Sequence, residues 1–307
     1  MVERRPGVMP PKPGPPPRQV SRDRIRRRRL GVFGGILLAV LIVFAIVKIA
    51  GRGSSATAPA TTAAIVQAKP FRIVFPEGFN REEMAHRVQV VAKIAQHKRP
   101  NKHVRLSSAS YLRVSQPRPV DGFGTKKHNL EGFLFPATYD FLANTTSKQL
   151  VQDQLDAFHA NWGKVDLSYA RKKNLTAYDV LIIASLVEKE ALAPDERPKI
   201  ARVVYNRLHA HMNLGIDATT RYGLHVPGTQ SLTQSDLASS NPYNTRNPNI
   251  TGLPPTPIAN PGLASMQAAA HPTAGNWLYF VRKRDKVHHY FTNNYNDFLN
   301  HERQYGY

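Results

Sequence analysis

The sequence predicts an α+β protein with an amino-terminal transmembrane helix, a small α/β module and a larger, mostly helical domain that ends in a β-hairpin. Three observations support this prediction. Residues 30–47 form an uncharged apolar run, helical periodicity dominates between residues 147 and 271, and alternation returns only near the carboxyl terminus. The predicted segments are a basic, proline-rich cytoplasmic tail (1–29), a transmembrane helix (30–50), a linker (51–69), the module (70–120) and the larger domain (121–307).

The net charge of the chain is high and unevenly placed. The 307 residues include 42 Lys+Arg against 21 Asp+Glu, giving +21, and there is no cysteine. The lack of cysteine excludes a disulfide scaffold, a thiolate metal site and a cysteine nucleophile. The charge by itself predicts a polyanionic partner, with nucleic acid or an anionic surface as the default candidates. However, residues 1–30 hold ten Lys or Arg and only two acids, so much of the surplus lies beside the apolar run.

This basic tail and the apolar run together predict a membrane anchor. Eighteen helical residues rise about 27 Å, which is close to the thickness of the hydrocarbon core. Because cationic flanks stay on the cytoplasmic side, we expect the amino terminus inside and everything after residue 51 outside the cytoplasmic membrane. A cleaved signal peptide is the alternative, since Ala56-Thr57-Ala58 resembles a cleavage site. We prefer the single-pass anchor because a secretory apolar core spans only about 7–15 residues.

The module begins with a strand and a helix. Residues 71–75 alternate as a short strand, Pro76-Glu77-Gly78 turns the chain, and Asn80 can cap a helix over residues 81–97. The basic stretch that follows, up to Arg118, is interpreted as solvent-exposed. The unit is small, which favours a role as a spacer or binding module.

The larger domain is predicted to consist of amphipathic helices and one hairpin. The helical segments are 147–161, 176–193, 195–211, 261–271 and 294–304. Before the last of these, NWLYFVRK and KVHHYFT alternate on either side of Arg284-Asp285, which predicts a β-hairpin. No repeat period and no glycine-rich phosphate loop is found.

One carboxylate occupies an unusual position on the helix over 176–193. Thr176 and Asp179 form a capping-box-like start that fixes the phase of the helix. At 100° per residue, Ser185 and Glu188 then fall on the polar arc, whereas Glu190 falls among leucine, isoleucine and valine. Glu188 is therefore interpreted as part of a solvated face.

A glutamate held against apolar side chains has a raised pKa, because burial disfavours the charged form. It can then carry a proton near neutral pH, as a general acid requires. Glu190 is thus a candidate catalytic acid. The alternative is an ordinary ion pair at the helix end, with Arg197 or Lys199 as the partner.

Several other side chains suit a glycan-binding cleft. Glu131 and Asp217 lie in loop-like segments flanked by aromatic residues. The tyrosines of these segments, including Tyr222, offer flat amphipathic faces to sugar rings, although packing in an ordinary core explains them equally well. The neutral amide and hydroxyl groups suit sugar hydroxyls and amides. The predicted substrate-binding residues are Glu131, Tyr139, Asp217, Thr219, Tyr243, Asn244 and Thr245.

The histidines do not have the spacing of a metal site. His209 and His211 diverge on a helix, and His288 and His289 point to opposite faces of a strand. No metal and no cofactor is therefore predicted. A serine hydrolase is also disfavoured, because Ser185 lacks a G-x-S-x-G context.

Six segments of the chain together match the motifs of one known family: FRIVFPEGF (71–79), LEGFLFPATY (130–139), LIIASLVEKEA (181–191), ERPKIARVVYNRLHAHMNLGIDATTRYG (196–223), YNTRNPNITGLPPTPIANPGLASMQAAAHP (243–272) and LYFV (278–281). Through them the chain resembles the endolytic murein transglycosylases, the MltG or YceG-like family, and the module over 70–120 resembles the LysM-like subdomain of that family. Gly215 stands where the family usually has glutamine, and Ala137 where an acidic residue is common.

The resemblance implies a membrane-anchored lyase that cleaves the β-1,4 bond between N-acetylmuramic acid and N-acetylglucosamine in nascent peptidoglycan, leaves 1,6-anhydro ends and thereby ends glycan elongation. The catalytic residue of the family is the second glutamate of E-K-E, which is Glu190. The implied partners are peptidoglycan glycan strands, peptidoglycan synthases (penicillin-binding proteins) and the membrane, with no nucleic acid. The alternative function is a non-catalytic scaffold that binds glycan and recruits the synthases.

Overall fold

The computed structural model of the protein describes residues 69–307. The predicted cytoplasmic tail, the predicted transmembrane helix over 30–50 and nearly all of the linker lie outside these residues. Within residues 69–307, no helix is long and apolar enough to span a bilayer.

The described residues form an α+β fold with many helices and two small sheets, which confirms the predicted class. The strands are β1 (Phe71–Val74), β2 (Thr138–Phe141), β3 (Tyr279–Arg282) and β4 (His289–Thr292). The helices are α1 (Arg81–Lys98), α2 (Ser108–Val114), α3 (Ser147–Trp162), α4 (Ser168–Lys172), α5 (Ala177–Glu190), α6 (Arg197–His209), α7 (Asp217–Leu224), α8 (Gln234–Ala238), α9 (Leu263–Ala270) and α10 (Tyr295–Tyr305).

The amino-terminal strand pairs with a strand that was not predicted. β1 is antiparallel to β2, with Ile73 opposite Tyr139. The capping box of Asn80 and Glu83 then starts α1, as the sequence indicated. The partner of β1 thus lies beyond the domain boundary predicted at residue 120. That boundary stays a prediction.

The basic stretch up to Arg118 is not simply solvent-exposed, and that interpretation was wrong. It contains α2, whose Tyr111 is fully buried and donates a hydrogen bond from its hydroxyl to Gln154 Oε1 at 2.7 Å. Val104 and Leu106 are buried as well. These few apolar residues are spaced among cations, and they pack because α1 and α3 lie on either side of α2.

Helix α5 is the centre of the fold. It starts at the predicted capping box of Thr176 and Asp179 and ends at Glu190, three residues before the predicted end. Every residue from Val180 to Val187 is buried, because α6 and α9 pack against the helix. The helix is therefore buried around most of its circumference rather than amphipathic, which the sequence alone did not indicate.

The predicted carboxyl-terminal hairpin is confirmed. β3 and β4 are antiparallel, with Arg282 opposite His289, and α10 packs against both strands. Glu196, in the single turn of 3-10 helix that follows α5, is buried and accepts hydrogen bonds from His289 N at 2.9 and 3.1 Å and from His289 Nδ1 at 2.7 Å. This carboxylate fastens the hairpin to the end of the central helix.

Candidate active site

Glu190 lines a cleft of about 970 Å³ at the carboxyl end of α5. The hairpin, α10 and the loop before α7 also line this cleft. The side chain of Glu190 is half-buried and forms no hydrogen bond or ion pair within residues 69–307. The alternative, an ion pair with Arg197 or Lys199, is not observed, since Arg197 lies beside Glu188 instead, at 3.8 Å.

The surroundings of Glu190 favour its protonated form. Burial raises the pKa of Glu190 to about 7, and the negative charge of Asp217 acts in the same direction. Arg282 and Arg246 oppose this effect, as does Lys189, but they do not cancel the cost of desolvation. A group with a pKa of about 7 can give up and take back a proton near neutral pH, so Glu190 has the chemistry of a general acid and base.

Asp217 lies in the same cleft, but its context differs from the prediction. It is the first residue of α7 rather than part of a loop, and its Oδ1 forms an ion pair with Nε of Arg246. A carboxylate at a helix amino terminus is also favoured by the helix dipole. Asp217 is thus a close electrostatic neighbour of Glu190.

Glu131 is buried beside a second, adjoining cavity of about 630 Å³. It accepts hydrogen bonds from Arg81 N at 3.0 Å to each oxygen, from Asn260 Nδ2 at 2.8 Å and from the hydroxyl of Tyr222 at 3.1 Å. Gly132 next to it has a φ of +88°, a conformation that suits glycine and turns the chain inward. Because both oxygens are occupied, Glu131 joins α1, α7 and the segment at Asn260.

The candidate tyrosines separate into two groups. Tyr222 and Tyr243 line the 630 Å³ cavity with ring centroids 5.2 Å apart, so they remain available to a ligand. Tyr139 lies elsewhere, on β2, where its hydroxyl donates to Phe135 O at 2.7 Å and its ring packs against Phe75. Tyr139 therefore packs against the core, apart from the two cavities that the other candidates line, and its contact with substrate stays a prediction.

Thr219, Asn244 and Thr245 are buried and bonded within the protein, contrary to their predicted contact with substrate. The hydroxyls of Thr219 and Thr245 lie 2.9 Å apart. Asn244 accepts a hydrogen bond from Thr220 Oγ1 and donates to Ser239 O at 2.8 Å. These bonds fix the segment around residue 244 to α7, so the three residues support the cleft instead of facing it.

Glu188 is not on a solvated face, so that interpretation was wrong, and Ser185 on the same polar arc is buried too. The side chain of Glu188 is only 6% exposed and accepts a hydrogen bond from Gly262 N at 3.0 Å. Ser185 is fully buried, donates to Ile182 O and accepts from Ile258 N at 3.1 Å. The polar arc of α5 thus binds the chain segment that leads into α9.

The two neighbouring histidines of the hairpin, His288 and His289, have different surroundings. His288 is exposed and bonds to Asp285, whereas His289 is buried against Glu196. Among the residues described, no group of three or more His, Cys, Asp or Glu side chains is arranged to hold a metal ion.

A sequence model of the YceG-like family matches residues 53–304. The chain belongs to the YceG-like family. The crystal structure of a yceG-like protein from Listeria monocytogenes has the same fold, with a TM-score of 0.63 at 29% identity over 76% of each chain. Two relatives named endolytic murein transglycosylase are also similar: one from Bacillus subtilis (40% identical over 51% of this chain) and one from Streptococcus pneumoniae strain D39 (35% over 62%). The matched region covers 43% and 34% of those relatives, so this YceG-like chain spans less than half of their length.

The structure of this YceG-like protein accommodates both departures from the family pattern. Gly215 has a φ of +65°, and a Cβ at this position would lie 2.9 Å from Nη1 of Arg207. Glycine therefore allows the loop to pass close to that guanidinium. Ala137 contributes its backbone, since its carbonyl accepts a hydrogen bond from Phe75 N at 2.9 Å.

Sequence reasoning missed the cationic side chains of the cleft and the clamp of Glu196 on His289. Arg207, Arg246, Arg282 and His289 all line the cleft with Glu190. The register of the hairpin was the available signal, because it places Arg282 and His289 opposite each other. The hairpin is brought into this cleft by the packing of β3 against α6 and by the hydrogen bonds between His289 and Glu196.

Proposed function

We propose that this YceG-like protein is a membrane-anchored endolytic lytic transglycosylase that cleaves the β-1,4 bond between N-acetylmuramic acid and N-acetylglucosamine. The observation that carries the proposal is the position of Glu190 in an open cleft, half-buried and with its pKa raised to about 7. The names of the relatives from Bacillus subtilis and Streptococcus pneumoniae support the same reaction class.

In the proposed reaction, Glu190 acts twice. Its carboxylic acid donates a proton to the glycosidic oxygen while the bond from that oxygen to C1 of the muramic ring breaks. The 6-hydroxyl of the same ring then attacks C1, and the Glu190 carboxylate takes the hydroxyl proton. The product is a 1,6-anhydro end, and no water is consumed. An internal nucleophile needs no second carboxylate to activate water, which agrees with the ion-paired state of Asp217.

The two adjoining cavities suit a polymer that is cut within its length. The Glu190 cleft and the 630 Å³ cavity share Lys189, Ala218 and Arg221 in their linings, so they adjoin each other. Tyr222 and Tyr243 offer aromatic faces in the second cavity, and such faces stack against sugar rings. Two adjoining cavities of this kind can hold sugars on both sides of the scissile bond.

The proposed location is the outer face of the cytoplasmic membrane. The apolar run over 30–47 and the six arginines before it support a single-pass anchor with its amino terminus inside. The catalytic domain then lies outside, the segment over 70–120 serves as a LysM-like module, and peptidoglycan synthases are the proposed partners. The substrate is nascent glycan, whose cleavage ends elongation.

The test is digestion of purified sacculi by the full chain, with mass spectrometry of the fragments. The wild-type protein is expected to release muropeptides one water lighter than the corresponding reducing ends, and Glu190→Gln is expected to release none. Asp195→Asn, which removes an exposed acid five residues further on, should behave like the wild type. Product formation by Glu190→Gln would refute the role of Glu190, whereas binding of wild-type protein to sacculi without any release would favour the non-catalytic scaffold.

A further inference from the structure

Arg282 differs from the other cations of the Glu190 cleft. It is half-buried and forms no side-chain hydrogen bond or ion pair with any residue between 69 and 307. Arg246 is paired with Asp217, and Arg207 donates to the carbonyl oxygens of Leu278 and Leu214, both at 2.6 Å. The charge of Arg282 is thus available to a ligand in the cleft.

The position of Arg282 depends on the hydrogen bonds that hold the hairpin to Glu196. Arg282 lies directly opposite His289, and opposed residues of an antiparallel pair project from the same face of the sheet. His289 is held by the buried carboxylate of Glu196 through its N–H and its Nδ1. The clamp therefore fixes the backbone from which Arg282 enters the cleft. Its guanidinium lowers the pKa of Glu190, so its charge reaches the proposed reacting centre.

We propose that Arg282 binds a carboxylate carried by the glycan strand and thereby selects strands with free carboxylates. This inference rests on the proposed function. A guanidinium offers a planar pair of donors that matches a carboxylate, and such charge-assisted pairs are the stronger hydrogen bonds of proteins. The muramic ring that presents its C1 to Glu190 carries a lactyl group on the same ring. The stem peptide is attached to the ring through this lactyl group. A carboxylate at this position therefore belongs either to the stem peptide or, where the peptide is absent, to the lactyl group itself.

The experiment compares three substrates with the full chain in detergent. They are untreated sacculi, sacculi whose carboxylates have been converted to carboxamides with carbodiimide and ammonium, and glycan stripped of stem peptides by an amidase. The initial rate of anhydro-end formation is measured for wild type, Arg282→Gln and Lys283→Gln. Lys283 is the matched control, because it is the next residue in the chain and does not line the cleft.

Wild-type protein and Lys283→Gln are expected to cleave amidated sacculi about tenfold more slowly than untreated ones, as expected for the loss of one charge-assisted contact. Arg282→Gln should be about tenfold slower on untreated sacculi and show no further loss on amidated ones. Where a stem peptide is attached, the contact must come from a carboxylate of that peptide, because the lactyl carboxyl is then bound in an amide. If cleavage of stripped glycan also depends on Arg282, the lactyl carboxylate exposed by the amidase binds at the same place. If it does not, only the stem peptide supplies the ligand.

Equal rates of wild-type cleavage on untreated and amidated sacculi would overturn the inference, as would an Arg282→Gln protein that keeps the wild-type preference. Cosedimentation with sacculi measures binding without cleavage. It therefore tests the carboxylate contact of Arg282 even if the proposed lytic activity is not found. In that measurement Arg282→Gln should lower binding to untreated sacculi to the level seen with amidated sacculi. Unchanged binding would refute the carboxylate contact even if no anhydro product were formed.

Discussion

Replacement of Glu190 by glutamine is expected to stabilise the folded protein at neutral pH while it abolishes catalysis. Glu190 is half-buried and has no hydrogen-bond partner within residues 69–307, so its charged form loses hydration without compensation. Glutamine has nearly the same shape and no charge. The substitution therefore removes the cost of desolvation and leaves the packing of α5 in place.

The size of the effect follows from the pKa. The ordinary value for glutamate is 4.5, and burial raises the pKa of Glu190 to about 7. At about 1.36 kcal/mol per pH unit this difference corresponds to roughly 3 kcal/mol, which solvent in the open cleft reduces to roughly 1–3 kcal/mol. The folded state binds the proton more tightly than the unfolded chain. The wild type thus loses stability between pH 4.5 and about 7, and the advantage of Glu190→Gln grows over that window and stays constant above it.

Urea unfolding of the wild type and of Glu190→Gln across this pH range measures the difference between their free energies of unfolding. Asp195→Asn is the control, because it removes one negative charge from an exposed position next to the same helix. It should show little change at any pH. If Glu190→Gln were no more stable than the wild type at pH 8, the carboxylate would not be held in a desolvated state, and the reasoning that makes it a general acid would fail.

Three further outcomes are expected. Glu131→Ala should lower the free energy of unfolding by roughly 3 kcal/mol in a urea titration, because it leaves Arg81 N, Asn260 Nδ2 and the Tyr222 hydroxyl without their acceptor; a loss below about 1 kcal/mol would contradict this. Glu188→Ala should lower the free energy of unfolding by roughly 1–3 kcal/mol, because the backbone before α9 loses its hydrogen-bond acceptor. Anhydro products should still form with this variant, and their absence would instead assign Glu188 a chemical role. The kcat/KM for anhydro-end formation should fall as pH rises above about 7, as the general acid loses its proton, and a rate independent of pH between 6 and 8.5 would contradict this.

Local signals determined several elements correctly from the sequence alone. The capping boxes at Asn80 and Thr176 start their helices where predicted, because a cap depends only on residues three apart. The hairpin over β3 and β4 follows from alternation on both sides of a short turn. The helical period also placed Glu190 on the apolar side of its helix, and its side chain is half-buried in the structure.

Contacts between distant segments could not be predicted from such local patterns. β1 pairs with β2 more than sixty residues away, and nothing local in Thr138–Phe141 marks it as a strand. Glu188 and Ser185 fall on the polar arc of their helix, yet the backbone before α9 covers that arc and donates a hydrogen bond to each of the two side chains. A polar residue is exposed or buried according to what packs over it, which helical periodicity does not specify.

Sequence alone predicts the family resemblance, the main helices, the terminal hairpin and the place of Glu190 on its helix, since each depends on residues close together in the chain. The tertiary structure determines which polar side chains face the cleft. It buried Thr219, Asn244 and Thr245 as supports and placed Arg282 beside Glu190 through the clamp of Glu196 on His289. The physical reason is that exposure and electrostatic neighbours depend on long-range packing, because desolvation of one segment is caused by atoms of another.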